Sequence, residues 1–329
     1  MVLDGSSADV VERAAVALAA GELVAFPTET VYGLGARADD DAAVAKIFVA
    51  KGRPADHPLI VHVVDVAAAM RFAASVAPVA QRLMAGLWPG PLTVILPRAQ
   101  GMGAAAAGGQ DSIGLRCPSH PVAQALLRRA AAHGVFGVAA PSANRFGRVS
   151  PTRAAHAEAE FGAGLMVLDG GPCEVGIESA IVDCTRAWPV LLRPGLLTRA
   201  QIEALAGEPL RGRDTASPRA SGTLEAHYAP RAKLRLMDAG AIDLALRGLG
   251  SAGHGLAVYS RNRPSAAVAA VAGVQHRLMP ALATEVAQEL FSVLRALDDE
   301  GVQFIWVEEP PPTPEWEGVR DRLQRAAAS

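Results

Sequence analysis

Two cations lie two residues apart in the turn Lys51-Gly52-Arg53-Pro54-Ala55-Asp56-His57-Pro58-Leu59. Glycine and proline punctuate this turn, so Lys51 and Arg53 are directed to one place, where such a pair neutralises phosphate or carboxylate groups. Taken alone, the pair reads more readily as two solvated charges in a turn. The chain holds three lysines, Lys46, Lys51 and Lys233, among 31 basic residues, which hints that a compact point charge is wanted at Lys51. Other polar residues gather at the ends of short apolar runs. Ser112 and Arg116 are four apart on a strand pattern and share a face, which pairs a hydroxyl with a guanidinium. Ser142 and Asn144 follow the apolar run 135–140, where side chains and backbone donors can cradle a polar ligand or simply form an Asx or Ser turn. Ser179 and Arg193 sit at strand edges. The cations Lys51, Arg53, Arg116 and Arg193, with the neutral donors Thr30, Ser112, Ser142, Ser150 and Ser179, describe a site for an anion-rich substrate, and they require no obvious catalytic base.

Several familiar chemistries are excluded. No lysine is followed by Ser or Thr, so there is no G-K-[ST] phosphate loop. The stretch Gly33-Leu34-Gly35-Ala36-Arg37-Ala38 matches G-x-G-x-x-A, but 27–30 separate it from the preceding strand and no ribose-binding acid follows at a strand end, so it does not read as a dinucleotide site. His57 and His62 are five apart, a spacing that turns them to opposite faces of a strand and makes a poor metal pair. There is no H-x-x-H, H-E-x-x-H or G-x-S-x-G. Cys117, Cys173 and Cys184 include no C-x-x-C pair and read as reduced, packed thiols. No metal ligand set is expected.

The elements that must position these residues follow from periodicity. The chain has 329 residues, a formal charge of −2, 50% hydrophobic and 19% charged residues, and so has apolar matter for two sizeable cores and no global attraction to polyanions. Aromatics are 5%, which leaves Ala, Val and Leu to fill those cores. Strands are predicted over 23–26, 59–64, 92–96, 112–116, 135–140, 166–169, 179–183 and 190–193. Helices are predicted over 8–20, 40–50, 66–74, 78–87, 121–133, 152–161 and 198–205, several opened by Asp, Ser, Thr or Pro. Ala104–Ala107, between glycines, reads as a flexible surface loop. Residues 1–206 thus form one α/β domain. Periodicity disappears over 207–231, which reads as a linker or, with its basic bias, a lid over an anionic ligand. Residues 232–329 alternate β and α again, as a smaller doubly wound, Rossmann-like α/β domain without a glycine fingerprint. No apolar run is long enough to span a membrane and the N-terminus carries acids where a secretory signal is basic, so a cytoplasmic location is expected.

The segments FPTETVYGLG (26–35), KGRPADHPLIVH (51–62), WPGPLT (88–93), APSAN (140–144), GRVSPT (147–152), GIESAIVD (176–183), LLRPG (191–195) and ASGTLEAHYAP (220–230) together resemble the YrdC-like family in its two-domain, threonylcarbamoyl-AMP synthase form. The resemblance implies a twisted mixed sheet with flanking helices for the first domain. It also implies a reaction in which L-threonine and bicarbonate give N-carboxythreonine, whose carboxylate attacks the α-phosphorus of ATP to yield the adenylate and pyrophosphate. By position, Thr30, His62, Arg116, Ala140 and Ser179 are similar to the threonine-binding set, and Arg53, His57, Ser112, Ser142, Ser150, Arg193 and Tyr228 to the ATP-binding set. Lys51 aligns with a basic residue of the family signature, and Asn144 completes its Ser-x-Asn part.

Physical chemistry agrees with such roles, because attack of a carboxylate on a polyanion needs cations such as Lys51 and Arg53 to screen it. Arg116 suits a bidentate hold on the threonine carboxylate, and Tyr228 suits closure over the nucleotide. Mg²⁺ is expected on the phosphates. The resemblance also implies that the adenylate feeds N6-threonylcarbamoylation at tRNA position 37, through a tRNA threonylcarbamoyl transferase complex. Ala180 stands where many members have Thr, and His57 where many have Asn. Two rival readings are a YrdC-like enzyme using carbamoyl phosphate and a non-catalytic binder of double-stranded RNA or tRNA. Scattered cysteines weigh against the first, and the near-neutral charge without a basic run weighs against the second.

Overall fold

A computed structural model describes residues 1–249, 253–262 and 273–329. It divides into two compact units, Met1–Phe146 with Ser150–Thr223, and Gly147–Val149 with Leu224–Ser329.

The helices of the first unit begin and end where local chemistry dictates. Helix α1 (Ala8–Ala19) starts at Ser7, whose hydroxyl accepts the Val10 amide, and α2 (Asp41–Lys51) starts at Asp40, whose Oδ1 accepts the amides of Ala42 and Ala43 at 2.9 and 3.1 Å. Gly52 ends α2 in the left-handed conformation, φ 64°, which turns the chain out of the helix between Lys51 and Arg53. The remaining helices are α3 (Val66–Ala69), α4 (Pro78–Leu87), α5 (Pro121–Ala132), α6 (Ala154–Phe161) and α7 (Arg199–Ala206). Helix α3 stops five residues short of the expected 74, because the chain tightens into a turn that buries Phe72 and bridges Ala73 to Arg98.

Eleven strands form the sheet of this unit: β1 (Val2–Asp4), β2 (Val24–Phe26), β3 (Gly33–Arg37), β4 (Ile60–His62), β5 (Leu92–Pro97), β6 (Ser112–Arg116), β7 (Val138–Ala139), β8 (Met166–Asp169), β9 (Ala180–Asp183), β10 (Val190–Arg193) and β11 (Arg211–Gly212). Their order is β1-β8-β2-β3-β7-β4-β6-β5-β9-β10-β11, with parallel and antiparallel pairs mixed. The twisted mixed sheet with flanking helices expected from the sequence is therefore present.

Three strands escaped the periodicity. The Gly33–Gly35 stretch is strand β3, antiparallel to β2. Glycine disfavours strands, but a Cβ at Gly35 would lie 2.7 Å from Val138 Cγ1 and 2.8 Å from Phe26, so close packing of neighbours demands it there. Strand β1 pairs with β8 at one edge of the sheet, and β11 with β10 at the other. Residues 207–223, expected to begin a linker, belong to the first unit: β11 extends its sheet, Arg186 holds Asp214 at 2.9 and 3.0 Å, and Gln110 holds the Arg219 backbone. Side chains rather than an apolar stripe fix this segment, which is why it shows no period. Ala104–Ala107 is likewise no loose loop, since Ala106 and Ala107 are fully buried and the Ala106 carbonyl accepts the Leu59 amide at 2.7 Å. All three cysteines are free and buried.

The second unit holds four parallel strands, among the described residues, β12 (Lys233–Met237), β13 (Leu256–Ser260), β14 (Val274–Leu278) and β15 (Phe304–Glu308), in the order β12-β15-β13-β14. Helices α8 (Ala239–Leu249), α9 (Ala283–Asp299) and α10 (Glu317–Ala327) accompany them. The apolar stripe Val286, Leu290, Phe291, Leu294 and Leu297 of α9 is buried, as its period of 3.6 requires.

Candidate active site

Register places several of the sequence-selected residues on one face of the first sheet. His62 on β4 and Arg116 on β6 are direct partners, and Arg193 on β10 partners Ile181 on β9. Partners share a face, as do residues two apart, which brings Ser112 and Ser179 to the same side.

Arg116 forms the hub at one end of this face. Its Nη1 donates to Thr30 Oγ1 at 2.8 Å and its Nε to the Gly90 carbonyl at 3.3 Å. Thr30 is held by the loop that follows β2, where Thr28 Oγ1 accepts the amides of Thr30 and Val31 at 3.2 and 3.1 Å. A partner the sequence reading overlooked faces Nη2: Glu29 Oε1 lies 2.7 Å away, with both side chains 4% exposed. That contact is ionic without being aligned, so neither Nη2 nor Oε1 has a hydrogen-bond partner, while Glu29 Oε2 accepts the Ser119 amide at 3.2 Å. Arg116 is thus not waiting alone for a ligand carboxylate, because burying a guanidinium without a counter-charge is too costly. Burial and the charge of Arg116 together pull the His62 imidazole down to about 3, so it is neutral at pH 7, and its Nδ1 is buried without a partner. The ring stands edge-on to Phe26 at 5.9 Å.

Beside this hub, Ser179 Oγ bonds Thr93 Oγ1 at 2.8 Å, and Arg193 donates to the Ser179 carbonyl through Nε and Nη2 at 3.1 and 2.9 Å and to the Ser221 carbonyl at 2.9 Å. A Cβ at Gly195 would come within 2.4 Å of the Ala180 amide, which explains the glycine of LLRPG. Ser150 donates to Glu178, a second buried acid that the sequence reading passed over. Ala140 offers its backbone, its amide donating to the Ile60 carbonyl at 2.9 Å.

Lys51 organises a second cluster. Its buried amine donates to the carbonyls of Ser142, at 2.6 Å, and of Asn144, and the Lys51 carbonyl accepts the Phe146 amide at 3.0 Å. Burial and the neighbouring Arg53 and Arg145 charges drive its pKa well down. The Ser-x-Asn loop is also pinned to β3 and its approach, since Ala143 donates to the Tyr32 carbonyl at 2.7 Å and Leu34 to that of Pro141 at 2.8 Å. Arg53 donates to the Pro58 carbonyl at 3.0 Å and lies 5.6 Å from the centre of the Phe146 ring, which the His57 ring meets at 5.5 Å. Burial and Arg53 hold the His57 pKa below its ordinary value. Asn144 Nδ2 donates to the Arg145 carbonyl at 2.7 Å.

Ser112 lines the apolar stretch between the two clusters, with Ile60, Ile95 and Ile181, and the segment 219–221 covers it so closely that about 10 Å³ is left, room for one water. Arg219 joins Asp56 at 2.7 Å across this cover. Tyr228, expected over the nucleotide, belongs to the second unit. It is buried there with φ 62°, stacked at 5.4 Å on Phe291 and edge-on to His227. Among the described residues no three His, Cys, Asp or Glu side chains converge to hold a metal, and no helix is long and apolar enough to cross a membrane. Glu29 and Glu178 each carried one signal in the sequence, an acid beside a chosen hydroxyl within an otherwise apolar segment.

Comparison with known proteins follows the same two-part division. A family model described as "Telomere recombination", covering Sua5, YciO and YrdC, matches residues 16–195, and one described as "Threonylcarbamoyl-AMP synthase, C-terminal domain" matches 197–328. The chain is 36% identical over 326 residues to the threonylcarbamoyl-AMP synthase of Bacillus subtilis, covering 96% of this chain and 92% of that one. It is 33% identical to that of Schizosaccharomyces pombe, over 93% and 85% of the two chains. Among solved structures, Pyrococcus abyssi Sua5 complexed with L-threonine superposes with a TM-score of 0.87 at 34% identity, over 98% of this chain and 95% of that one.

Proposed function

The chain belongs to the Sua5/YrdC family of threonylcarbamoyl-AMP synthases, and from that premise we propose that it joins L-threonine, bicarbonate and ATP into threonylcarbamoyl-AMP with release of pyrophosphate. The carboxylate of N-carboxythreonine forms the new O–P bond at the α-phosphorus as the bond to the β-phosphate oxygen breaks. The observation that carries the reading is the buried Arg116 guanidinium, whose Nη2 makes no hydrogen bond within the protein beside Thr30. It offers donors to a small carboxylate in a closed place.

In this reading Arg116, Thr30, His62, Ser179 and the Ala140 backbone hold threonine. Arg53, His57, Ser112, Ser142, Asn144, Ser150 and Arg193 face the nucleotide. Lys51 works chiefly through the loop it ties, since its amine already serves two carbonyls of that loop, and its charge lowers the cost of bringing phosphates close. Mg²⁺ would arrive on the ATP phosphates. The cover at 219–221 must shift to admit a nucleotide base to the stretch it occupies, so the lid role falls to the part of 207–231 that joins the first unit. The product is a reactive mixed anhydride, which suits transfer to tRNA by a threonylcarbamoyl transferase complex in the cytoplasm.

Pyrophosphate release from Mg²⁺-ATP, with threonine and bicarbonate omitted in turn, tests the activity. Release that needs both is expected, and release indifferent to threonine would overturn the reading. The lid is tested by proteolysis at 213–223, which ATP and threonine together should slow; equal cleavage in their presence and absence would remove it.

A further inference from the structure

Arg116 would answer the carboxylate of an amino acid, yet no negative charge in the proposed set answers the ammonium, and the reaction cannot begin until that ammonium loses a proton. We propose that Glu29 binds the substrate ammonium through Oε1 and takes its proton before carboxylation. The inference rests on the proposed threonine site and names a group for it that the sequence reading did not contain.

Geometry supports the assignment. The Glu29 carboxylate is buried, anchored through Oε2 by the Ser119 amide at 3.2 Å, and its Oε1 has no hydrogen-bond partner although it lies 2.7 Å from Arg116 Nη2. A charge-assisted pair this close normally aligns its hydrogens. Here Arg116 is instead turned so that Nη1 serves Thr30 and Nε serves Gly90. The pair thereby presents an unused acceptor beside unused donors, both out of water. A zwitterion whose ammonium and carboxylate are separated by one carbon satisfies both at once. Neither half alone does so, because a lone carboxylate would meet the Glu29 charge and a lone amine the Arg116 charge.

The chemistry balances. The ammonium gives its proton to Glu29, leaving R–NH2 and a neutral carboxylic acid. The amine lone pair then forms the N–C bond with bicarbonate, and R–NH2 plus HCO3⁻ becomes R–NH–COO⁻ plus water. Glu29 returns its proton to solvent when the product leaves.

Calorimetric binding to the full chain without ATP separates the possibilities. The probes are L-threonine and its deaminated analogue, 2,3-dihydroxybutanoate. The unaltered chain is expected to bind threonine and discriminate strongly against the analogue. Glu29→Gln should weaken threonine about tenfold to a hundredfold, the loss of one hydrogen bond to a charged group, while the analogue binds as well as before or better. A purely structural role for Glu29 would weaken both ligands together and overturn the proposal, as would unchanged threonine affinity. Arg116→Lys should weaken both ligands. If it weakens neither while the chain still binds threonine, the threonine site itself lies elsewhere. Should Glu29→Gln fail to fold, Glu29→Asp keeps the charge and withdraws the oxygen, and the same selective loss of threonine is expected.

Discussion

Arg116 and Lys51 are both buried cations of the first unit, and they are satisfied in opposite ways. Arg116 meets a carboxylate, Glu29, with two donors unspent, whereas Lys51 spends its amine on the carbonyls of Ser142 and Asn144. A full counter-charge pays for burial and leaves a cation able to bind something else. Backbone carbonyls carry only partial charge, so the Lys51 amine is held by geometry and desolvation lowers its pKa. The first arrangement makes a binding group and the second ties a loop.

That contrast can be broken from either side. The largest effect is expected from Arg116→Met, which strands the Glu29 charge and should cost about 3–5 kcal/mol of folding stability in urea denaturation. Adding Glu29→Gln to that variant should restore much of the loss, and a strictly additive double variant would show that the two groups are uncoupled. Lys51→Met strands no charge and should cost less, about 1–3 kcal/mol for the bonds it makes, while pyrophosphate release falls by orders of magnitude as the 142–146 loop loosens. Normal turnover in that variant would show that the tie has no part in activity.

His62 sharpens the Arg116 side of the comparison through pH. Its pKa lies near 3 in the fold against 6.5 for the free side chain. The unfolded chain therefore takes up a proton first, and the stability His62 contributes is complete above about pH 6.5 and lost as pH falls toward 3. The urea midpoint of the unaltered chain should drop over that range, and His62→Asn should flatten part of the drop. An identical profile in the variant would place the acid sensitivity elsewhere. The smallest effect belongs to Asp56→Asn. The Arg219–Asp56 pair is 50% and 60% exposed, so thermal unfolding should register less than about 1 kcal/mol. Proteolysis at 213–223 should nevertheless quicken, because that pair is one of few ties on the cover.

The elements most legible in the sequence are those whose signals are local. Caps at Ser7, Asp40 and Thr198, prolines at the starts of α4 and α5, and the apolar runs of β5, β6, β8 and β10 lie where periodicity put them. The second unit's alternation of strand and helix was equally plain, and its strand β13, LAVYS, is buried along its whole length, as a parallel strand covered on both faces is. Strand β3 was hidden because its glycines serve neighbours distant in sequence, and β11 because a two-residue edge strand has no period to show.

By itself, the sequence determined the fold class, the family and the motifs that hold the site, because helix caps, strand periodicity and short motifs are written in adjacent residues. Only the tertiary structure decided what the charges do. Glu29 and Arg116 are 87 positions apart along the chain, as numbered, and Lys51 reaches carbonyls 91 and 93 residues away. No local pattern encodes such pairings, since a buried charge acquires its role from whichever group the folded backbone brings within about 3 Å of it.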